Sequence, residues 1–132
     1  VRVMTRDLGE VEVAPDQVVE FVSPLLGFEG HRRFAIVPVP HARPFHWLQS
    51  LEEQGLAFPI VSAAELCVAF AGDDLDLQRL GADDWSEVDF WIIVAIRADG
   101  GSLRPNLMAP VVVCRRSRRA AQLVLAEREG PK

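Results

Sequence analysis

Three histidines, two cysteines and a dense run of carboxylates are the residues through which this sequence could do chemistry. Ala42, Arg43, Pro44 and Phe45 separate His41 from His46, so the pair lacks the i, i+4 spacing that holds zinc on one helix face. His31 stands apart from both, and no carboxylate falls at a recognised ligand spacing; each histidine reads as a surface or loop residue, and no metal is expected. Cys67 and Cys114 show no CxxC spacing. In a cytosolic protein such thiols are ordinarily small buried hydrophobes, with a disulfide or a reactive thiol as the alternative. Neither a Gly-x-Ser-x-Gly elbow nor a glycine-rich phosphate loop is present, and Gly100-Gly101 is explained by a turn. The expectation is a protein that is not an enzyme and uses no cofactor.

The carboxylates are the strongest local signal. Between Glu65 and Asp89 lie Asp73, Asp74, Asp76, Asp83, Asp84 and Glu87, with Arg79 as the only basic residue. Two of them could form an acid/base pair, but carboxylates set densely in polar sequence ordinarily form a solvated face. Such a face repels nucleic acid and steers a basic partner. Near the C-terminus Arg115, Arg116, Arg118 and Arg119 make a short basic run between apolar segments. It reads as a solvated hairpin loop, with contact to phosphate or to an acidic partner as the alternative.

The elements that must position these groups are mainly strands. The chain has 132 residues, 49% of them apolar, with a net charge of −5, which suits one domain spanning 1–132 with its own core. No apolar run approaches the length of a membrane-spanning helix. The basic-then-apolar pattern of a signal segment is interrupted by Arg2, Arg6 and Asp7, so a cytoplasmic location and no membrane contact are expected. Alternation predicts a hairpin over 1–13, turning at 7–9. Further strands are predicted over 18–22, 34–39, 45–50, 57–61, 90–96, 107–114 and 121–125, with a turn at 99–101 and a frayed tail at 127–132. One short helix is predicted over 76–81, capped by Asp76 and stopped by Gly81. Short strands with Gly and Pro between them favour a mainly β fold: an antiparallel β-barrel-like (roll) domain with one or two short helices. Trp47, Phe90, Ile92, Val94, Val111 and Val113 are expected in its core.

Read in order, the segments 25–30, 34–38, 44–50, 106–113 and 122–125, with sequences LLGFEG, FAIVP, PFHWLQS, NLMAPVVV and QLVL, together resemble the FliW family of flagellar assembly factors. Leu25-Leu26-Gly27-Phe28-Glu29-Gly30 is similar to its Leu-Pro-Gly-Phe-Glu signature, and Phe34-Ala35-Ile36-Val37-Pro38 to the strand that follows. Pro44-Phe45-His46-Trp47-Leu48-Gln49-Ser50 resembles its Pro-Phe-x-Trp-Leu-Gln-Ser block. Asn106-Leu107-Met108-Ala109-Pro110-Val111-Val112-Val113 and Gln122-Leu123-Val124-Leu125 resemble the two blocks near its end. Structural roles come first for these residues: Phe45, Trp47 and Leu48 as core anchors, Gly27 in a tight turn, Asn106 bonding local backbone. Leu26 replaces the family's usual proline, and the tail lacks its common Tyr…Arg-His-Pro-Leu ending.

The resemblance implies a protein that binds the translational repressor CsrA, keeps it from silencing flagellin mRNA, and also binds flagellin. Flagellin synthesis would thereby be coupled to export, with no direct nucleic-acid contact by this chain. Because CsrA must present positive charge to hold RNA, an acidic surface docked beside its RNA site would attract it and repel the phosphates. The partner-binding expectation therefore falls on Phe70, Asp73, Asp74 and Asp76, taken as an exposed loop, with Asp83 and Asp84 as secondary candidates. The competing reading is a small β-barrel RNA-binding domain that uses the basic loop 115–119. It lacks interleaved aromatics for base stacking.

Overall fold

The computed structural model describes residues 1–70, 72–96 and 103–125. The turn expected at 99–101 and the tail at 127–132 lie outside the described residues. The strands are β1 (Arg2–Met4), β2 (Glu10–Glu12), β3 (Val18–Phe21), β4 (Arg33–Pro38), β5 (His46–Ser50), β6 (Ala57–Ser62), β7 (Val88–Ile96), β8 (Leu103–Pro105), β9 (Val111–Cys114) and β10 (Arg119–Gln122). The helix α1 spans Asp74–Leu80, and short 3-10 turns occupy Pro15–Gln17, Ala63–Leu66 and Trp85–Glu87.

Seven strands close a barrel in the order β6-β5-β4-β3-β10-β9-β7, with β7 returning to β6. Closure leaves those strands no open edge. Neighbours in the ring are antiparallel except β3 and β10, which run parallel with Arg119 opposite Glu20. The barrel-like expectation holds, with that one parallel seam as the departure from an antiparallel roll. The seam joins segments about a hundred residues apart, so it is set by closure and not by any local turn.

Each strand sorts its side chains by alternation. Val19 and Phe21 of β3, Phe34 and Ile36 of β4, Leu48, Ile60, Val111 and Val113 fill the barrel. The Phe21 and Phe34 rings meet edge to face at 5.3 Å. The outward residues are covered twice. The β1–β2 hairpin packs Val3 and Val13 on Ala35 and Val37 of β4. Helix α1 packs Leu77 and Leu80 on Val112, Cys114, Ala121 and Leu123. Strand β9 is therefore buried on both faces, which is why its sequence is continuously apolar instead of alternating.

Of the expected core residues, Ile92, Val94, Val111 and Val113 are fully buried. Trp47 and Phe90 are half-buried and pack on the outer clusters. The strand expected over 107–114 begins only at Val111. Asn106 Oδ1 accepts from the Met108 N–H at 3.2 Å, which holds a turn there, and Pro110 has no N–H to give. The last strand starts earlier than expected, at Arg119, although the Leu123 and Leu125 N–H groups still bond to the Pro110 and Met108 carbonyls. Cys114 is buried as expected; Cys67 is exposed, and both thiols are free.

The polar residues of the motif blocks hold loops together. Gln49 is completely buried. Its Nε2 donates to the Ser50, Gln54 and Leu56 carbonyls, and its Oε1 accepts from the Arg6 N–H at 2.9 Å. Ser50 Oγ accepts from the Glu52 and Glu53 N–H groups. Gln122 accepts from the Leu26 N–H and donates to the Ala109 carbonyl, so one side chain joins three of the blocks. Gly27 sits at φ 87°, a region open to glycine.

Candidate protein-interaction surface

The acidic segment folds as the start of α1 and is not a loop between strands. Asp73, and not Asp76, is the N-cap: its Oδ1 accepts from the Asp76 N–H at 2.9 Å. Asp76 returns the bond, its Oδ2 accepting from the Asp73 N–H at 3.0 Å, and its side chain is buried. This reciprocal pair satisfies two N–H groups that a helix start leaves open. Three carboxylates near the N-terminus also favour the helix dipole. Gly72 packs against this cap, because a Cβ there would come within 2.4 Å of the Trp85 ring. Leu77 and Leu80 anchor the inner face, and Gly81 ends the helix at φ 69° as expected.

A second acidic cap follows. Asp84 begins the Trp85–Glu87 turn, accepting from the Ser86 N–H at 2.7 Å and from the Ser86 hydroxyl. The Ser86 hydroxyl, then its N–H, hold the Asp84 carboxyl below the usual carboxylate range. Glu87 Oε2 accepts from the Asp83 and Asp84 N–H groups.

The basic run lies against this acidic surface. Arg115 Nη1 is 2.6 Å from Asp89 Oδ1, and its other nitrogen donates to the Ser86 carbonyl. Arg116 lies 3.4 Å from both Asp83 and Glu87 and donates to the Gly81 carbonyl at the C-terminal end of α1. The acidic stretch, with only Arg79 in its own sequence, is thus partly neutralised from the adjacent loop after β9.

The expected interface residues therefore divide. Asp74 is exposed, and its carboxylate makes no bond to a described residue. Asp73 is exposed but caps the helix; Asp76 is committed to that cap. Asp83 pairs with Arg116, and Asp84 holds Ser86. Phe70 is half-buried, stacked on Phe90 with centroids 5.9 Å apart, and Phe90 in turn meets Trp85. Within α1 the exposed apolar side chain is Leu75, 52% exposed beside Asp74. Sequence reasoning passed over it, although an outward leucine next to an N-cap is visible once the helix start is placed at Asp73.

The histidines are scattered. His46 sits edge-on to Trp91 at 4.9 Å, His31 lies by Phe28, and His41 occupies a left-handed loop position. Among the described residues, no group of three or more His, Cys, Asp or Glu side chains is placed to hold a metal ion. No helix among them is long and apolar enough to cross a membrane.

The architecture defines a class: a small closed β-barrel with a hairpin and a charged helix laid on its outside. A crystal structure of the flagellar assembly factor FliW shares that fold at a TM-score of 0.82 and 23% identity, over 96% of this chain and 89% of that one. The family model described as FliW protein matches residues 2–131. Relatives named flagellar assembly factor FliW include one from Bacillus licheniformis, 34% identical over 93% of this chain and 87% of its own. Another, from Ruminiclostridium cellulolyticum, is 32% identical over 93% and 85%; one from Bdellovibrio bacteriovorus is 33% identical over 95% and 73%. The chain belongs to the FliW family of flagellar assembly factors, which are not enzymes.

Proposed function

We propose that this chain is a cytoplasmic single-domain antagonist of CsrA that also binds flagellin and so couples flagellin synthesis to export. Membership of the FliW family along residues 2–131 is the observation that carries this reading. The exposed start of α1 supports it physically. Asp74, whose carboxylate bonds to no described residue, faces the positive charge of an RNA-binding partner, and Leu75 offers an apolar contact beside it. That is the apolar centre and charged rim of a protein interface. Asp73, Asp83, Asp84 and Phe70 border the contact, while Asp76 acts through the helix cap.

Isothermal calorimetry with cognate CsrA, and separately with flagellin, tests the reading. Heat of binding is expected with each, and none with flagellin mRNA alone. Asp74→Asn should slow association with CsrA and flatten its salt dependence, because rim charges act mainly on encounter. Leu75→Ala should speed dissociation. Absence of heat with CsrA well above micromolar concentration overturns the antagonist role; tight binding of RNA alone supports the RNA-binding alternative instead.

A further inference from the structure

Arg118 and Arg119 both line the parallel seam, Arg119 with its guanidinium beside Gly81 at the C-terminal end of α1. There a groove of about 460 Å³ runs along β3 and β10, with Arg32, Arg33, Arg118 and Arg119 in its lining and Glu20 as its one carboxylate. It lies between the two outer covers of the barrel, the β1–β2 hairpin and α1. None of the four guanidiniums is within ion-pair distance of a carboxylate among the described residues. Arg118 Nε and one Arg32 nitrogen each reach a backbone carbonyl, of Val18 and Phe21 respectively, at 3.4 Å. Their remaining N–H groups, and the whole side-chain donor sets of Arg33 and Arg119, bond to no described residue. On a chain of net charge −5 this is a concentrated exception.

We propose that this groove is a docking site for an extended acidic segment of a partner protein. The register sets the geometry. Glu20 of β3 stands between Arg119 of β10 and Arg33 of β4. Arg119 and Arg33 therefore start roughly 10 Å apart, two strand spacings of about 4.8 Å. Carboxylates two or three residues apart on an extended chain, at about 3.3 Å per residue, match that span within the reach of two arginine side chains. Guanidinium forks bind carboxylates with paired hydrogen bonds. Val18 and Val22, half-buried at the groove, supply apolar wall for the stems of such a segment. One observation favours protein over single-stranded nucleic acid: the groove's one aromatic, Phe21, is turned into the barrel with 0% exposure and cannot stack a base. Glu20 can accept a peptide N–H.

The inference stands apart from the CsrA reading, whose failure would leave it intact. Fluorescence anisotropy at low salt tests it, using a short labelled peptide alternating Glu and Ser and an oligouridylate of equal charge as probes. The wild-type protein should bind the peptide more tightly than the oligouridylate. Arg33→Gln with Arg119→Gln should weaken the peptide about tenfold or more, as expected for losing two charge-assisted bonds. Arg33→Gln alone, which removes no described internal bond, should weaken it several-fold. Arg115→Gln with Arg116→Gln should leave peptide affinity unchanged. No peptide binding by the wild type, an unaltered affinity in the Arg33/Arg119 pair, or tighter binding of the oligouridylate would each overturn the proposal.

Discussion

The two charged regions of this protein meet at the loop 115–119, and they use the same residue type in opposite ways. Arg115 and Arg116 turn toward α1 and close ion pairs with Asp89, Asp83 and Glu87. Arg118 turns toward the seam, Arg119 lines it with its guanidinium beside Gly81, and neither meets a carboxylate among the described residues at ion-pair distance. On the α1 side, charge is spent on building structure: nearly every acid caps a turn or pairs with an arginine, and Asp74 alone among them bonds to no described residue. At the groove, charge is held open while the backbone is fixed by other means. Arg118 sits at φ 59° in the turn after Cys114, where the Arg118 N–H donates to the Cys114 carbonyl, and this reversal splits the run. A row of like residues in sequence is therefore not one surface in space, and an arginine count says little until each side chain's neighbours are known.

If the α1 side is structural, damage to its apolar anchor should have the largest effect. Leu80 is fully buried against Val112, Cys114 and Leu123. Leu80→Ala should cost about 2–5 kcal/mol in urea unfolding, from lost burial and the cavity left behind. A cost under about 1 kcal/mol would mean that the helix is a loosely attached ornament. The helix cap comes next. Asp73→Ala should cost about 1 kcal/mol, whereas Asp73→Asn should cost only a few tenths, because the amide oxygen still accepts from the Asp76 N–H. Equal losses for the two substitutions would show that charge at position 73, not the cap bond, is what stabilises the helix.

Much of the barrel was legible because its cause is local. Alternation located β1 and β2, and short apolar or β-branched runs located β3 to β6, each to within a few residues, while β9 fell inside a longer expected strand. The Asp-x-x-Asp cap was also present in the sequence, since Asp73 and Asp76 have capping-box spacing. It was missed because the helix start was sought at the later of the two acids. What could not be read was set by closure. The parallel pairing of Arg119 with Glu20 and the meeting of Arg115 with Asp89 follow from where distant strands land, and no periodicity records that. The candidate site suffered most, since its acids looked free only while their partners were unplaced: the helix cap for Asp73 and Asp76, Arg116 for Asp83 and Ser86 for Asp84. Leu75 went unremarked for the same reason: a leucine in an acidic stretch looks incidental until the helix fixes which way it points.

The smallest effect separates the two regions by pH, through one carboxyl in each. Glu52 lies beside the groove, its Oε1 accepting from the Arg33 N–H at 2.7 Å and from the Arg32 N–H at 2.8 Å. Those two bonds, Arg33's first, hold its carboxyl below the usual range. Asp84 is held low on the α1 side by Ser86. In both cases the folded value lies below the unfolded one. Each carboxyl thus contributes stability that is present above its unfolded value and is lost as pH falls through its folded value. Glu52→Gln keeps an oxygen that can accept both N–H groups but removes the charge, as Asp84→Asn does at the turn. Each variant should flatten the acid limb of a stability–pH curve measured by urea unfolding and leave its slope near neutrality unchanged. The two should add, because Glu52 and Asp84 share no hydrogen-bond partner. The groove itself supplies the sharper readout. Glu52 fixes the backbone that carries Arg32 and Arg33, so its protonation should loosen that end of β4 and raise amide exchange at Arg32 and Arg33 in the wild type. Protonation of Asp84 should instead raise exchange at Ser86. If acid raises exchange equally at both places in either variant, the barrel transmits the change as one body, and the two charged regions are not independent.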